Sequence, residues 1–296
     1  METVKIVTDS GANIPPETAK ELGIEVIPFS LTLNSRSFRE GIDVTAENFY
    51  KRRELYHAMA WNAPAYHDYA LSYMRLVKEH RKILFIHSPP ALSPIFETAL
   101  AVHRDFRASH GAFAVILDSG TWGMGLTLGV TALARAALTG LPLHRLITLA
   151  VKLKQETGYI AGVKSVKLVA EAYRPRGIAS LTGKPAFFTL NQNGTPTPYK
   201  GLAVKKGRMV LDLVQHVLEQ VGEEKVIMGV EGTDPERLYG TFSGSVTECF
   251  NCETCYTALA RPSLGMGFCQ DHFALAYVRY KTLAPFIEKR LLEAAA

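Results

Sequence analysis

The sequence predicts an α/β fold in which an N-terminal, mostly parallel sheet flanked by helices is followed by a mixed α+β domain, with a ligand site between them. Two observations carry this prediction. Strand patterns alternate with helical patterns in the first half of the chain, and a hairpin pattern appears in the second half. The chain has 296 residues, of which 47% are hydrophobic, so it is long enough for two domains.

The first strand–helix unit begins at Thr3. The stretch "TVKIVTDS" has the β-branched content of a strand, and "IPPETAKELG" from Ile14 opens with prolines that suit a first helical turn. Between this unit and the next, "EVIPFSLTL" is predicted to be one further strand, and Thr45 is a predicted N-cap for the helix after it.

Two more units follow in the same order. The strand "KILFIHS" from Lys82 precedes the helical stretch "SPIFETALAVHRDF", and the strand "AFAVILDS" from Ala112 precedes a helix that stops near Gly140. Because strands that alternate with helices pair in parallel, we expect all three strands in one parallel sheet.

The second half has a different pattern. The stretch "GKPAFFTLNQNGTPTPYKGLAV" predicts two antiparallel strands joined by an Asn/Gly turn, and an amphipathic helix then ends at Gly222. We therefore place a domain boundary near residue 150, with a parallel α/β domain over 1–150 and a mixed α+β domain over 151–296.

Charge and hydropathy narrow the functional classes. The net charge is +5, and the basic residues are scattered and not interleaved with aromatic residues, which argues against nucleic-acid binding. No apolar run reaches the length of a membrane span, and the first 30 residues lack a secretory signal pattern, so we expect a cytoplasmic protein with no membrane span.

Short polar residues end all three predicted parallel strands. The pairs are Asp9-Ser10, His87-Ser88 and Asp118-Ser119. Because the carboxyl ends of parallel strands border one crevice, we expect these side chains to converge at a ligand site. The alternative is that they satisfy backbone groups in turns, which is the commonest role of Asp and Ser.

Ser93 is the most informative of these polar residues. If Pro94 is the first helical residue, Ser93 is the N-cap, and its hydroxyl and the adjacent N–H groups face whatever lies before the helix. This arrangement suits a carboxylate or phosphate oxygen. The alternative is an N-cap that serves only its own helix.

The sequence resembles the DegV family. The likeness begins with "VKIVTDSGANIPPETAKELGIEVIPF" and continues through "IHSPPALSPIFETA" and "VILDSGTWGMG". The resemblance implies a two-domain protein that holds one long-chain fatty acid between its domains, without a catalytic centre or cofactor. Several members of the family present the acid to a separate fatty-acid kinase, so a kinase or acyl-transfer protein is an expected partner.

Two departures from the family pattern affect the expected site. Trp61 and Asn62 stand where the family has a threonine-serine pair, and Arg261 lies near the position of a family histidine. Asn62 can still donate a hydrogen bond, and Arg261 can supply a charge. Other departures near the predicted hairpin put the kinase coupling in question. The candidate ligand-binding residues are Ser93, Asn62, Ser88, Ser10, Ser119, Ile95, Phe96 and Arg261.

An enzymatic alternative remains open. Ser88, Ser93 or Ser119 could be the nucleophile of a hydrolase or acyltransferase that acts on an acyl substrate, with His87 or His67 as the base. However, the sequence lacks the Gly-x-Ser-x-Gly pattern of a nucleophile elbow.

The cysteines form a cluster at positions 249, 252, 255 and 269. Such spacing is compatible with a metal site or a disulfide, although on one continuous strand Cys249 and Cys255 face one side and Cys252 the other. We therefore expect small, free apolar side chains at these positions and no metal.

Overall fold

The computed structural model describes residues 3–107, 111–163, 186–199, 208–268 and 272–286, which form three β-sheets with helices packed on them. The strands are β1 (Lys5–Asp9), β2 (Glu25–Ile27), β3 (Ser30–Leu33), β4 (Arg36–Arg39), β5 (Met59–Asn62), β6 (Lys82–His87), β7 (Phe113–Asp118), β8 (Gly158–Val163), β9 (Ala186–Leu190), β10 (Pro196–Pro198), β11 (Val226–Gly232), β12 (Cys252–Leu259) and β13 (His272–Arg279).

In the described part of the first 160 residues the α-helices are α1 (Pro16–Glu21), α2 (Ala46–Lys51), α3 (Tyr66–Glu79), α4 (Ile95–Phe106), α5 (Gly123–Leu138) and α6 (Leu143–Glu156). Further helical segments span Met209–Val221, Pro235–Arg237, Ser243–Cys249 and Pro262–Phe268. Thr45 accepts a hydrogen bond from the N–H of Asn48, which confirms the predicted N-cap of α2.

The first sheet has the strand order β2-β1-β6-β7, and its pairs are all parallel. The second sheet has the order β10-β9-β8-β13-β11-β12; its pairs are antiparallel except β11 with β12. The predicted parallel first half and mixed second half are therefore confirmed, including the hairpin of β9 and β10.

The stretch "EVIPFSLTL" forms two strands in two different sheets, so the prediction of a single strand was wrong. β2 pairs with β1 in the parallel sheet, whereas β3 lies between β4 and β5 in a separate antiparallel sheet. The break falls at Pro28, which has no N–H to donate to a ladder. The next N–H, that of Phe29, instead donates to the hydroxyl of Ser10 at 2.8 Å.

Helix α5 packs between the two large sheets. It contacts β1 of the first sheet and β8, β11 and β13 of the second, and 13 of its 16 residues are buried. Helix α6 likewise contacts both β6 and β13. Residue 150 lies within α6, so the boundary predicted there falls in a helix that packs against both halves; the division of the chain at this point remains a proposal.

Within the described ranges, no helix is both long and apolar enough to cross a membrane.

Candidate functional site

The polar residues that end β1, β6 and β7 lie along one edge of the parallel sheet, as predicted. His87 is the register partner of Asp118, and the N–H of Ser119 donates to the carbonyl of His87 at 3.0 Å. The turns that follow three adjacent strands therefore lie side by side at this edge.

Asp9 is the centre of a hydrogen-bond network at this edge. Its fully buried carboxylate accepts hydrogen bonds from the N–H of Gly11 at 2.8 Å and from the N–H and hydroxyl of Ser88 at 2.7 and 2.6 Å. Its Oδ2 also lies 3.0 Å from Nδ1 of His87. Asp9 thus joins the ends of β1 and β6, and the hydroxyl of Ser88 is directed into the protein.

His87 is held at both ring nitrogens. Its Nε2 lies 2.7 Å from the phenolic oxygen of Tyr69. Burial raises the pKa of Tyr69 well above its ordinary value, so the phenol keeps its proton. Because the carboxylate of Asp9 accepts hydrogen bonds, Nδ1 donates to Asp9 and Nε2 is left to accept from the phenol. His87 therefore has no nitrogen available to act as base for Ser88, and His67 is exposed on α3.

Ser10 is also engaged within the protein. Its hydroxyl donates to the carboxylate of Glu40 at 2.6 Å while accepting from the N–H of Phe29. Glu40 also accepts from the N–H and hydroxyl of Ser263 at 2.7 and 3.0 Å. Burial raises the pKa of Glu40, and the nearby Arg261 opposes that shift. Glu40 thereby connects the end of β1 with the first turn of the helix Pro262–Phe268.

The hydroxyl of Ser119 makes local hydrogen bonds. Its hydroxyl donates to the carbonyl of Thr121 at 2.9 Å and accepts from the N–H of Thr121 at 3.3 Å. The adjacent Asp118 accepts from the N–H of Gly120 at 2.8 Å and pairs with Lys154 at 2.6 Å. The turn after β7 is therefore stabilised by its own side chains and by one ion pair with α6.

Helix α4 begins at Ile95, one residue later than predicted. Pro94 occupies the N-cap position, because its carbonyl accepts the first helical hydrogen bond, from the N–H of Thr98 at 3.1 Å. Ser93 precedes the cap. Its hydroxyl accepts from the N–H of Ile95 at 3.3 Å, and the residue is 1% exposed. The prediction that Ser93 is the N-cap was therefore wrong, although its hydroxyl does reach the first turn of the helix.

The other predicted ligand contacts lie in different environments. Ile95 is fully buried in the main hydrophobic core, and Phe96 is partly buried. Asn62 is exposed at the end of β5, opposite Ser30 of β3. Their contact with a ligand remains a prediction.

Arg261 is partly buried beside the loop after β1. Its Nη2 donates to the carbonyl of Ile14 at 2.9 Å. Burial lowers the pKa of Arg261, and the charge of Glu40 opposes that shift. Among the described residues, Nε of Arg261 and the hydroxyl of Tyr50 are buried without a hydrogen-bond partner.

Sequence reasoning missed Glu231, which joins the two large sheets. This fully buried carboxylate of β11 accepts hydrogen bonds from Asn13 and from the N–H of Met124, both at 3.1 Å, and from the phenol of Tyr159 at 3.0 Å. A Cβ on Gly123 would lie 2.3 Å from its Oε1. No local pattern identifies Glu231, because its partners are distant in sequence.

An aromatic cluster lies where the resemblance led us to expect a hydroxyl. The ring of Trp61 stacks on Phe29 with centroids 5.1 Å apart and meets the edge of Trp122 at 5.4 Å. Phe29 and Trp122 are fully buried. Trp61 thus contributes apolar packing at this position.

The cysteines are free thiols where the structure describes them, at positions 249, 252 and 255. Cys252 and Cys255 pack against the same apolar cluster, contrary to the prediction of opposite faces, because a bulge in β12 adds one residue between them. Burial raises the pKa of Cys255 to about 11. No group of residues in the described part of the chain could hold a metal ion; Cys269 lies outside it.

Two large sheets, one parallel and one mixed, with helix α5 between them and polar turns along one edge of the first, define an α/β class of protein. A profile of the DegV family, whose members are described as uncharacterised proteins, matches residues 3–171. The chain belongs to the DegV family.

Proteins of known sequence or structure resemble this chain over most of its length. A DegV domain-containing protein of Listeria innocua is 25% identical over 244 residues, which cover 80% of this chain and 84% of that protein. A Thermus thermophilus structure described as fatty acid binding of a DegV family protein has a TM-score of 0.82 at 16% identity, covering 94% of this chain and 99% of the other. A stearic acid-binding protein from Eubacterium ventriosum has a TM-score of 0.79 at 18% identity, with coverages of 94% and 99%.

Proposed function

We propose that this protein is a carrier that binds one long-chain fatty acid between its two domains and holds the carboxylate beside Ser93, at the start of α4. Its membership of the DegV family supports this function, as does its structural similarity to the Thermus thermophilus and Eubacterium ventriosum proteins, which are described as binding fatty acid and stearic acid. The protein binds the acid and does not transform it. A kinase or acyl-transfer protein is the proposed recipient of the acid.

We place the head group at Ser93 because of the hydrogen bonds that the four predicted serines make. Ser10, Ser88 and Ser119 each donate their hydroxyl proton to an acceptor within the protein. Ser93 accepts a hydrogen bond from Ile95, and within the described residues it donates none. A hydroxyl can accept and donate at the same time, so Ser93 retains a donor for a carboxylate oxygen.

Two buried donors near Glu40 also support the proposal that the ligand carries an anionic group. Nε of Arg261 and the hydroxyl of Tyr50 lack an acceptor among the described residues. A buried polar group without a partner costs free energy unless a ligand or water supplies the hydrogen bond. A carboxylate that reached these donors would satisfy them, and Arg261 would add an opposite charge.

The tail supplies most of the affinity in this proposal. Each methylene removed from water contributes about 0.8 kcal/mol, so a tail of about fifteen contributes roughly 12 kcal/mol before the costs of association. A buried carboxylate contributes little net affinity, but it fixes the orientation of the acid once donors meet it.

Extraction of the purified protein tests this function. Denaturing mass spectrometry of the lipid extract is expected to show close to one long-chain fatty acid per chain. Ser93→Ala removes the free donor, so it should retain less of the acid, whereas Ser37→Ala, an exposed serine of β4, should retain as much as the unmodified protein. A folded protein that neither contains a long-chain acid nor takes one up when it is supplied would refute the proposal.

A further inference from the structure

A cavity of about 220 Å³ lies between α5, α6 and the ends of β6 and β7. We propose that it is a second ligand site, which binds a small amphipathic carboxylic acid with its tail against α5 and its carboxylate at Lys154. The wall is mostly apolar and includes Ile86, Leu117, Leu126, Leu133, Ala150 and Leu153.

Glycines of α5 create the space. Gly125 and Gly129 both line the cavity and lie four residues apart, hence on one face of the helix. A Cβ placed on Gly129 would meet no atom within 4 Å. A glycine inside a helix lowers stability by about 1 kcal/mol relative to alanine. At position 129 no neighbouring atom is close enough to exclude a side chain. We therefore attribute Gly129 to the open volume beside the helix and not to close packing.

Polar groups are concentrated at one end of the cavity. Lys154 and Asp118 form an ion pair there, with side chains 30% and 18% exposed. An ammonium group has three N–H donors, so Lys154 can hold Asp118 and also donate to a ligand oxygen. This end therefore presents an ion pair whose ammonium group keeps N–H donors for the head group of a ligand.

Thr121 supplies an independent indication of a ligand. It lines the cavity, is 7% exposed, and in the described part of the chain its Oγ1 has no hydrogen-bond partner. Its Oγ1 lies against Gly125, where a Cβ would approach it to 2.2 Å. Because buried hydroxyls are nearly always paired, an oxygen of a ligand or a water is the expected partner.

The volume limits the size of the ligand. An apolar protein cavity of about 150 Å³ can bind benzene, so the space here corresponds to roughly six to nine carbon atoms. A medium-chain acid such as octanoate fits this range, whereas a long-chain acid does not. Of the predicted ligand-binding serines, Ser119 lines the cavity and Ser93 does not, so the head-group position proposed above is not part of its wall.

Calorimetric titration of the protein, as purified, with sodium octanoate tests the inference. We expect one saturable site. Gly129→Leu fills the cavity and should weaken binding at least about tenfold, while Gly129→Ala, which adds one methyl group in open space, shows whether a side chain is tolerated at this position. Lys154→Met should weaken octanoate binding by about tenfold but change the affinity for octan-1-ol less than about twofold, because only the acid carries a charge.

If Gly129→Leu does not fold, octanoate binding by Thr121→Val and Lys154→Met provides the test. The inference is overturned if octanoate does not bind saturably. It is also overturned if Gly129→Leu, Thr121→Val and Lys154→Met bind octanoate as tightly as the unmodified protein does. Loss of the long-chain acid from Gly129→Leu overturns it as well, since the cavity would then belong to the long-chain site. A protein that neither contains nor takes up a long-chain acid but binds octanoate through Lys154 would refute the proposed function and leave this inference intact.

Discussion

The carboxylate of Glu231 lies against the first turn of α5, where its Oε2 accepts a hydrogen bond from the N–H of Met124 at 3.1 Å. A helix N-terminus with unpaired N–H groups favours an anion. In this protein the second sheet supplies that anion from β11, so one buried side chain both caps the central helix and joins the two sheets.

Gly123→Ala is expected to destabilise the fold by about 2–4 kcal/mol. Gly123 has φ of +55°, and a Cβ there would lie 2.3 Å from Oε1 of Glu231, so the substitution strains the backbone and displaces the carboxylate. Guanidinium unfolding followed by circular dichroism measures the change.

Gly244→Ala is the matched control, because a Cβ on Gly244 meets nothing within 4 Å in the helix Ser243–Cys249. It should stabilise the protein by about 0.5–1 kcal/mol through helix propensity. Equal effects of the two substitutions would contradict the assigned role of Gly123.

Glu40 should make stability depend on pH. Burial raises its pKa above the ordinary value of 4.5, so between that value and the folded-state pKa the native protein binds a proton that the unfolded chain has lost. The stability due to this proton is fully present below pH 4.5 and is lost as the pH rises through the folded-state pKa. Urea unfolding from pH 5 to 8 should show the stability of the unmodified protein falling relative to Glu40→Gln.

Asp43→Asn serves as the control for that experiment. A hydrogen bond from the Arg39 side chain lowers the pKa of Asp43 to about 2, so Asp43 is ionised in both the folded and unfolded states above pH 5. Its variant should run parallel to the unmodified protein over the same range. A constant difference between the unmodified protein and Glu40→Gln would disprove the raised pKa.

Tyr69→Phe should cost about 1–2 kcal/mol of stability, because it leaves the buried Nε2 of His87 without its donor. Tyr66→Phe removes a phenol that also makes a 2.7 Å hydrogen bond, to Asp105, but on the exposed side of α3. The loss there should be below about 0.5 kcal/mol. Thermal unfolding of both variants measures the two losses of stability. Similar losses would argue against the hydrogen bonds that join Asp9, His87 and Tyr69.

The thiols should differ in reactivity. Cys249 is exposed, whereas Cys255 is partly buried with a pKa of about 11, so at pH 8 roughly one Cys255 in a thousand is a thiolate. Timed iodoacetamide labelling with peptide mass spectrometry should find Cys249 modified first and Cys255 only after unfolding. Rapid labelling of Cys255 in the native protein would contradict this environment.

The sequence was sufficient to predict the features that depend on local patterns. Alternating strands and helices indicated the parallel sheet, and this in turn placed Asp9, His87 and Asp118 at one edge. The split at Pro28 could also have been anticipated, since a residue without an N–H interrupts a ladder.

The partners of these residues could not be predicted, because they are distant along the chain. Nothing near Ser10 indicates that its hydroxyl donates to Glu40, which Ser263 also contacts, and nothing near Asp118 indicates Lys154. Which serines retain a donor for a ligand is therefore decided by tertiary packing. The bulge that turns Cys252 and Cys255 to one side likewise arises from strand pairing.

The position of the carboxylate is the central claim, and a crystal structure of the protein loaded with palmitate tests it most directly. The account predicts continuous density for one acyl chain between the two domains, with a carboxylate oxygen within hydrogen-bonding distance of the Ser93 hydroxyl. Density that places the carboxylate away from Ser93, or loaded crystals without an acyl chain between the domains, would contradict it.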